Sequence, residues 1–476
     1  MHPSALAKRL YIFITPIIIV FYLYGLGKLP LLGPDEPRYA QVAREMFVNR
    51  DLITPTLGGH TWFEKPALLY WMIVASFKVF GVSEWAARLG PALCGVLTIA
   101  AVWCVAREVE PEGLGFSSVI VTMSCLGLIV FSRAASFDVV ITMTTAWSLA
   151  FLLLHELPTT SRKRLLLSGF YVFVGLSLLA KGLVGIVIPF GVAGSYYLLR
   201  RGWPRRSVLS SLIWGVPLAL LVSAVWYGPV IARHGWTFID EFFVQHHFAR
   251  YVSNKYHHPQ PIYFYPVIIL LLTLPWAVHL VLSIVNARKW EWRGSDSLSI
   301  VRVFSLAWLL LPIIFFSFSG SKLPGYVLPA LPGAALLVSS RLTFVRNAKW
   351  PLLIAGATVV LVVIVLNFAA PPYANRESVR DLLLLADQRG YANAPVLAER
   401  GDDRSAEFYA HDRVVYGPNG EPITFDEISV DQARARGDKF VVLIPLEYVE
   451  NYRGSARIEI IGDNGHTAVL GWQLKQ

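Results

Sequence analysis

Cysteine is nearly absent from this chain of 476 residues: Cys94, Cys104 and Cys125 are the only three, and all lie inside apolar stretches. No disulfide framework or thiolate metal site can be built from them, and buried structural thiols are the expectation. Charge is also scarce, at 16% of residues against 55% hydrophobic, which lies outside the usage of soluble domains. Three nucleotide signatures are missing: the Asp-x-Asp pair of a nucleotide-sugar metal site, the Gly-x-x-x-x-Gly-Lys-Ser/Thr phosphate loop and the Gly-x-Gly-x-x-Gly fingerprint. A nucleotide cofactor or donor is therefore not expected. Internal repeats and low-complexity segments are missing too. No small-residue cleavage signature follows the first apolar run, so the N-terminus reads as a retained helix rather than a removed signal peptide.

The composition instead points to the bilayer as solvent. Val208 to Tyr227 and Pro351 to Ala369 approach the ~20 apolar residues that cross a ~30 Å hydrocarbon layer as a helix, a form that satisfies its own backbone hydrogen bonds. The net charge of +10 does not form one basic patch, so it does not suggest nucleic acid. Lys8-Arg9, Arg107, Arg162-Lys163-Arg164, Arg200-Arg201 with Arg205-Arg206, Arg288-Lys289 with Arg293, and Arg341 with Arg346 and Lys349 recur in every second loop. That alternation is the positive-inside pattern and assigns these loops to the cytoplasm.

Helices placed on apolar runs bounded by charge, Pro or Gly fall roughly at 10–28, 87–106, 113–131, 138–156, 165–180, 183–200, 208–228, 262–286, 300–318, 325–341 and 350–369. About eleven crossings from a cytoplasmic N-terminus leave the C-terminus outside. The expected fold is thus a polytopic α-helical membrane domain over 1–370, followed by a small extracytoplasmic α/β domain over 371–476. Two outer loops are long, 28–86 and 229–261. In the first, Asp35 to Arg50 repeats apolar residues at helical spacing and Ala67 to Phe80 is apolar but short, so both read as helices at the membrane surface. In the C-terminal region Phe440 to Ile444 and Ala456 to Ile461 read as strands, and Arg376 to Gln388 and Asp426 to Arg436 as helices.

Polar clusters at the edge of a membrane domain are functional candidates because they are costly unless solvated or paired. Asp35-Glu36 opens the first surface helix, where the plainer role is an acidic N-terminal cap. Glu64-Lys65 precedes Pro66 in a turn between the two surface helices, and a salt-bridged turn is its plainer reading. Lys181, Lys322 and Arg250 are expected on the same outer side, and cations converging on an acidic site suit a phosphate leaving group beside a carboxylate base. His246, His247, His257 and His258 crowd the second loop. With Glu64 they suggest a divalent metal site, although neighbouring histidines are also ordinary loop residues. Asp138 begins the fourth predicted helix, where capping is again the plainer role. Lys181 and Lys322 sit at helix ends, where a lone lysine commonly reaches to the headgroups.

At these residues the chain resembles the membrane glycosyltransferases of the protein O-mannosyltransferase superfamily (GT-C type), in particular the bacterial aminoarabinose transferases that modify lipid A. The matching pieces run in family order: Asp35-Glu36-Pro37-Arg38-Tyr39-Ala40, Phe63-Glu64-Lys65-Pro66-Ala67-Leu68-Leu69-Tyr70-Trp71, Ala180-Lys181-Gly182, His247 to Arg250, Pro275-Trp276, and Lys322-Leu323-Pro324-Gly325-Tyr326-Val327-Leu328-Pro329. The resemblance implies inverting transfer of a sugar from a polyprenyl (undecaprenyl) phosphate carrier to a lipid or glycan acceptor, lipid A or lipopolysaccharide foremost, at the periplasmic face of a bacterial inner membrane. It implies a catalytic role for Asp35, and carrier-phosphate binding by Lys65, Arg250 and Tyr326, with Lys322 as a further cation. Asp138 and Lys181 match polar positions lining the cavity, and Arg38 and Tyr39 join the substrate-binding set. Glu64 with His247 or His246 matches a zinc pair. The chain departs from those transferases in having fewer expected crossings and a short C-terminal domain.

Two other readings stand beside it. A protein O-mannosyltransferase shares the Asp-Glu opening but carries a large domain in the middle loop that this chain lacks. A lipid or sugar transporter or flippase would place ionisable residues near the midplane and show inverted repeats, whereas the charges here lie near helix ends.

Overall fold

The computed structural model describes residues 5–109, 114–249, 260–342, 349–398, 404–418, 420–425, 428, 433, 436–455 and 457–474, without the side chains of 5–13 and 247–249. Each apolar run expected to be helical contains a helix, although the first, expected over 10–28, ends at Leu23. In chain order the helices are α1 (Ala5–Leu23), α2 (Asp35–Val48), α3 (Leu68–Phe80), α4 (Glu84–Ala106), α5 (Leu114–Ser124), α6 (Leu126–Phe131), α7 (Phe137–Glu156), α8 (Lys163–Lys181), α9 (Val184–Leu199) and α10 (Arg206–Ile239). They continue with α11 (Phe264–Leu272), α12 (Ala277–Val285), α13 (Ser297–Ser317), α14 (Leu331–Leu342), α15 (Lys349–Ile364), α16 (Ala370–Arg376), α17 (Arg380–Ala386) and α18 (Ser405–Tyr409). The helix expected over 426–436 lies largely outside the described residues.

Among the described residues six helical stretches are long and apolar enough to cross a membrane: Glu84–Ala106, Phe137–Glu156, Lys163–Lys181, Arg206–His246, Ser297–Ser317 and Lys349–Arg376. Ile14–Leu23, Leu68–Phe80, Leu114–Ser124 and Val184–Leu199 are apolar but shorter. Large apolar side chains point outward from several of them, with Ile213 at 82% and Leu353 at 71% exposure. In water such surface would be a liability, and against lipid tails it is the favourable face.

Two runs expected as continuous helices are broken. The chain leaves helical geometry at Cys125 (φ −64°, ψ 122°) between α5 and α6, and at 273–276 between α11 and α12. The breaks satisfy each other: the Leu126 N–H donates to the Leu274 carbonyl at 2.8 Å, and the Trp276 indole N–H donates to Ser124 Oγ at 2.9 Å. Irregular backbone at membrane depth is tolerated where protein neighbours take over its hydrogen bonds. A third run begins as the tight helical turn Pro324–Ala330 before widening into α14. The Trp308 indole N–H holds this turn through the Pro329 carbonyl at 2.8 Å.

The chain forms two compact units. The first comprises Met1–Tyr24, Phe63–Leu69 and Arg88–Leu361. Its helices approach closely where small residues allow it. A Cβ on Gly175 would lie 2.6 Å from the Ala219 carbonyl oxygen, and one on Gly185 would lie 2.3 Å from the Ser177 carbonyl carbon. Small interfacial residues are the usual means of packing helices in lipid.

The second unit comprises Gly25–Trp62, Tyr70–Ala87 and Val362–Gln476. It contains α2, a short hairpin of β1 (Thr56–Leu57) with β2 (His60–Thr61), and a four-stranded sheet of order β3-β4-β6-β5. The sheet strands are β3 (Val396–Ala398), β4 (Lys439–Pro445), β5 (Ile458–Asp463) and β6 (Thr467–Gln473). β3 runs parallel to β4, and the other pairings are antiparallel. β4 and β6 put Phe440, Val442, Ile444, Ala468, Leu470 and Trp472 into one core with Leu397. β3 and β6 were not legible in the sequence, because one is very short and the other is buried nearly throughout, so it shows no alternation.

Gly185→Ala should destabilise the first unit by about 1–3 kcal/mol through overpacking against the Ser177 backbone. Thermal unfolding in detergent, followed by tryptophan fluorescence, checks this. Gly194→Ala, inside α9 with an added Cβ that meets nothing within 4 Å, should melt at or slightly above the wild type, since alanine favours the helix by about 0.5–1 kcal/mol.

Candidate active site

In the first unit, α7 and α8 bring a carboxylate and an ammonium together. Asp138 lies in the first turn of α7, where Ser136 Oγ accepts its backbone N–H at 3.1 Å as the N-cap. A negative charge there is favoured by the helix dipole. Lys181 is the last residue of α8, where a positive charge is favoured for the same reason. Gly182 follows at φ +63°, reversing the chain with its N–H on the Leu178 carbonyl at 2.8 Å. Lys181 Nζ forms an ion pair with Asp138 Oδ1, and both side chains are largely buried.

The Pro324–Ala330 turn closes over this pair. The Lys181 ammonium sits 4.5 Å from the centre of the Tyr326 ring, a cation–π contact worth about 1–2 kcal/mol where water is excluded. Tyr265 supports the turn by donating its hydroxyl hydrogen to the Leu323 carbonyl at 3.2 Å. Gly325 is required by contact, since a Cβ there would lie 1.9 Å from Asp138 Oδ2. The sequence put Lys181 and Tyr326 in separate motifs and Asp138 at the start of a helix, and the structure brings the three together.

Glu64 and Lys65 form a second ion pair, Lys65 Nζ donating to Glu64 Oε1 at 2.5 Å. Their turn is seated by Phe63, buried edge-on against Phe238 and His234 at 5.2 and 5.0 Å between ring centres. Lys322, only 8% exposed, donates to the Gln260 carbonyl at 2.9 Å. His246 is half-buried. Arg250, His257 and His258 lie outside the described residues, as does the side chain of His247. Among the described residues no group of three or more His, Cys, Asp or Glu side chains makes a metal cage.

Asp35, Arg38 and Tyr39 belong to the second unit and to α2. Neither Asp35 nor Glu36 caps α2, whose N-cap is Pro34 without a side-chain cap bond; Glu36 Oε2 instead accepts the Leu32 N–H of the preceding loop at 2.9 Å. Asp35 is exposed and makes no hydrogen bond or ion pair with any described residue. Arg38 stacks on Trp62 at 5.2 Å and faces the buried Glu407 at 3.7 Å. Tyr39 is buried edge-on to Tyr70 at 6.3 Å.

α2 is held by residues that carried no motif. Arg44 donates to the Phe408 carbonyl and to Asp412 Oδ1, each at 2.9 Å, and Gln41 donates to Asp412 at 2.6 Å. The Leu31 N–H donates to the Tyr409 hydroxyl at 2.7 Å, and that hydroxyl donates to Glu84 at 3.1 Å. His411 and Asp412 take left-handed backbone at φ +50° and +67°, a turn that Asp and His tolerate better than most residues. Partial burial pushes the Asp412 carboxyl up, but Arg44 and the Gln41 amide outweigh it and hold it below the ordinary range. Two side chains spaced i, i+3 on α2 meeting one distant aspartate is a relation that only the folded chain displays.

Gly325→Ala should drive Asp138 off Lys181 and cut turnover at least about tenfold while leaving expression intact, as expected when an interaction that orients charged groups is displaced. Activity of the purified variant measures this. For Asp412 the sign follows from its depressed titration: its stabilisation is present above the unfolded carboxylate value of about 3.9 and is lost as pH falls through the folded one. Asp412→Asn should therefore cost about 1 kcal/mol or less near neutral pH, with the deficit closing in acid. Melting curves of both proteins across pH give the comparison.

Residues 64–227 match the family model for dolichyl-phosphate-mannose-protein mannosyltransferases, a span that contains Glu64, Lys65, Asp138 and Lys181. An undecaprenyl phosphate-alpha-4-amino-4-deoxy-L-arabinose arabinosyl transferase of Pseudomonas aeruginosa is 33% identical over 328 residues. That alignment covers 68% of this chain and 58% of the relative, so the chain spans under two thirds of the relative's length. A crystal structure of ArnT from Cupriavidus metallidurans bound to undecaprenyl phosphate superposes with a TM-score of 0.79 at 21% identity, covering 98% of each chain. The archaeal oligosaccharyltransferase AglB from Archaeoglobus fulgidus, in complex with an inhibitory peptide and a dolichol-phosphate, gives 0.54 at 12% identity over 94% of this chain and 70% of that one. The chain is thus similar over residues 64–227 to the dolichyl-phosphate-mannose-protein mannosyltransferase family, over about two thirds of its length to undecaprenyl-phosphate aminoarabinose transferases, and it shares the fold of ArnT.

Proposed function

We propose that this protein is an inverting glycosyltransferase that moves a sugar from a polyprenyl-phosphate carrier to an acceptor at the extracytoplasmic face of a bacterial inner membrane. Lipid A or another glycolipid or lipopolysaccharide is the acceptor favoured by the similarity to aminoarabinose transferases. The observation that carries the reading is the joining of Lys181 and Asp138, at helix ends within the stretch that matches the family model, with Tyr326 from the Pro324–Ala330 turn. The proposed topology has about eleven crossings, a cytoplasmic N-terminus and the 371–476 region outside, following the alternation of basic loops.

In the proposed reaction the bond from the anomeric carbon to the carrier phosphate breaks, and an acceptor oxygen bonds to that carbon from the opposite face. The phosphate leaves with the bonding electrons and needs positive charge. Lys65, Arg250 and Lys322 supply it, with Tyr326 as a hydroxyl donor. Lys65 and Lys181 are already held by carboxylates, so an arriving phosphate would exchange for or share an existing anionic partner, and neither ammonium need be buried alone. A hydroxyl acceptor gives up its proton, and Asp35 is the proposed base, since it is exposed and uncommitted among the described residues. An acceptor that is already an ionised phosphate needs no base, and Asp35 then orients it. Arg38 and Tyr39 place that helix end against the substrate.

Zinc ligation by Glu64 with His246 or His247 is a separate element of the proposal. Glu64 Oε1 is engaged by Lys65, so a cation would have to displace that ammonium, and no step above depends on one.

Asp35→Asn should fold normally and lose about two to four orders of magnitude in turnover on a hydroxyl acceptor, the usual range for a general base. Lys65→Ala should raise the donor concentration needed for saturation. Purified protein offered a panel of polyprenyl-phosphate sugars, with lipid A and other acceptors, tests the function itself by product mass and carrier-phosphate release. No release with any donor would overturn the reading, and near-wild-type transfer by Asp35→Asn on a hydroxyl acceptor would remove the base role alone.

A further inference from the structure

A cavity in the first unit has no part in the proposed reaction. Ser283, Asn286, Trp290, Arg302, Ser340 and Arg341 line about 230 Å³ of space. A water's share of liquid volume is about 30 Å³, so a group several times larger fits.

The helices determine where it lies. α13 runs from Ser297, passing Arg302 in its second turn, to Ser317 near the Lys322 turn. α14 starts directly after the turn that carries Tyr326 and returns over 12 residues to Ser340 and Arg341, a path of about 18 Å. α12 also ends at this cavity, at Val285 next to Asn286. The cavity therefore sits at the opposite ends of α13 and α14 from Tyr326.

Its chemistry is cationic. The Arg302 guanidinium lies 5.9 Å from the centre of the Trp290 ring and donates to the Ser340 carbonyl at 3.5 Å. The carboxylate acting on Arg302 is Asp296, which is already occupied in accepting the Ser299 N–H at 2.9 Å as the α13 cap. Arg341 forms no ion pair with any described residue, and its Nε is buried without a hydrogen-bond partner. The adjoining residues 343–348 contain no acid. Arg288, Lys289, Glu291 and Arg293 on the segment before α13 leave the surroundings net positive.

Two further features point to the source of an anion. Val278, Val281 and Val285 on α12 are 67%, 43% and 47% exposed, so acyl chains can lie beside the cavity. Trp290 and Trp292, 6.2 Å apart, supply the amphipathic rings found at headgroup depth. A basic pocket between helices at that level suits a phosphorylated headgroup.

We propose that this cavity binds the phosphate of an anionic lipid headgroup, in the leaflet opposite the one that holds Tyr326. Inorganic phosphate shares the chemistry, and separate arms of the test distinguish it. The full chain is reconstituted in nanodiscs of phosphatidylglycerol with phosphatidylcholine, released, and examined by native mass spectrometry. Wild type should retain phosphatidylglycerol in preference to phosphatidylcholine. Arg341→Gln should cut that retention about fivefold, the effect of one basic group near an anionic surface, and Arg302→Gln should act alike. Arg341→Lys should keep most of it, and Arg288→Gln, exposed and outside the lining, should match wild type. Equal retention by wild type, Arg341→Gln and Arg302→Gln would overturn the site. If inorganic phosphate raises the melting temperature of delipidated wild type but not of Arg341→Gln, and no lipid is retained, the occupant is a soluble phosphate and the lipid assignment falls.

Discussion

Lipid offers no hydrogen bonds, and the membrane part of this protein is organised around that deficit. A helix interrupted in water exposes its freed N–H and carbonyl groups to solvent, whereas one interrupted among apolar helices must hand them to a neighbour. The breaks at Cys125 and at 273–276 meet this demand jointly, through the Leu126–Leu274 and Trp276–Ser124 bonds. The Trp308 indole does the same for the tight turn before α14. That turn carries Gly325 and Tyr326, so the polar cluster rests on backbone that only its surroundings make tolerable.

Charge follows the same economy. Lys181 and Asp138 stand at a helix C-terminus and N-terminus respectively, so each is stabilised by its own helix dipole before the two meet. Lys65 has Glu64, and Arg44 has Asp412. Opposite charges held as pairs avoid the penalty of a lone buried ion, and they leave ammonium groups that can exchange partners with an arriving phosphate. Asp35 stands apart from this scheme. Its neighbour Glu36 accepts the Leu32 N–H of the loop before α2, and Asp35 is left exposed without a described partner.

Much of the fold was legible from hydropathy. The runs expected at 138–156, 165–180 and 183–200 correspond to Phe137–Glu156, Lys163–Lys181 and Val184–Leu199, because their ends are marked by charge, Gly or Pro. The surface helix expected at Asp35 to Arg50 spans Asp35–Val48. Where hydropathy is uniform across a change in backbone, as at Cys125, the pattern carries no signal, and the helix expected to end at 228 runs on to Ile239 because Pro229, Arg233 and His234 read as loop residues yet are helical. The resemblance singled out Asp138, Lys181 and Tyr326 without saying that they touch. Glu407, Tyr409 and Asp412 were invisible, since they belong to no motif and their partners on or before α2 lie hundreds of positions away.

The sequence alone therefore determined the solvent, the helical class and the residue types available for chemistry. Those follow from local quantities: apolar run length, the alternation of basic loops and short motifs. The tertiary structure decided which carboxylate meets which cation, why Gly325 must lack a side chain, what holds α2, and that a cationic cavity exists at the ends of α13 and α14 far from Tyr326. Such relations depend on distances of a few ångströms between segments far apart in the chain, and close packing, which has no signature along a sequence, sets those distances.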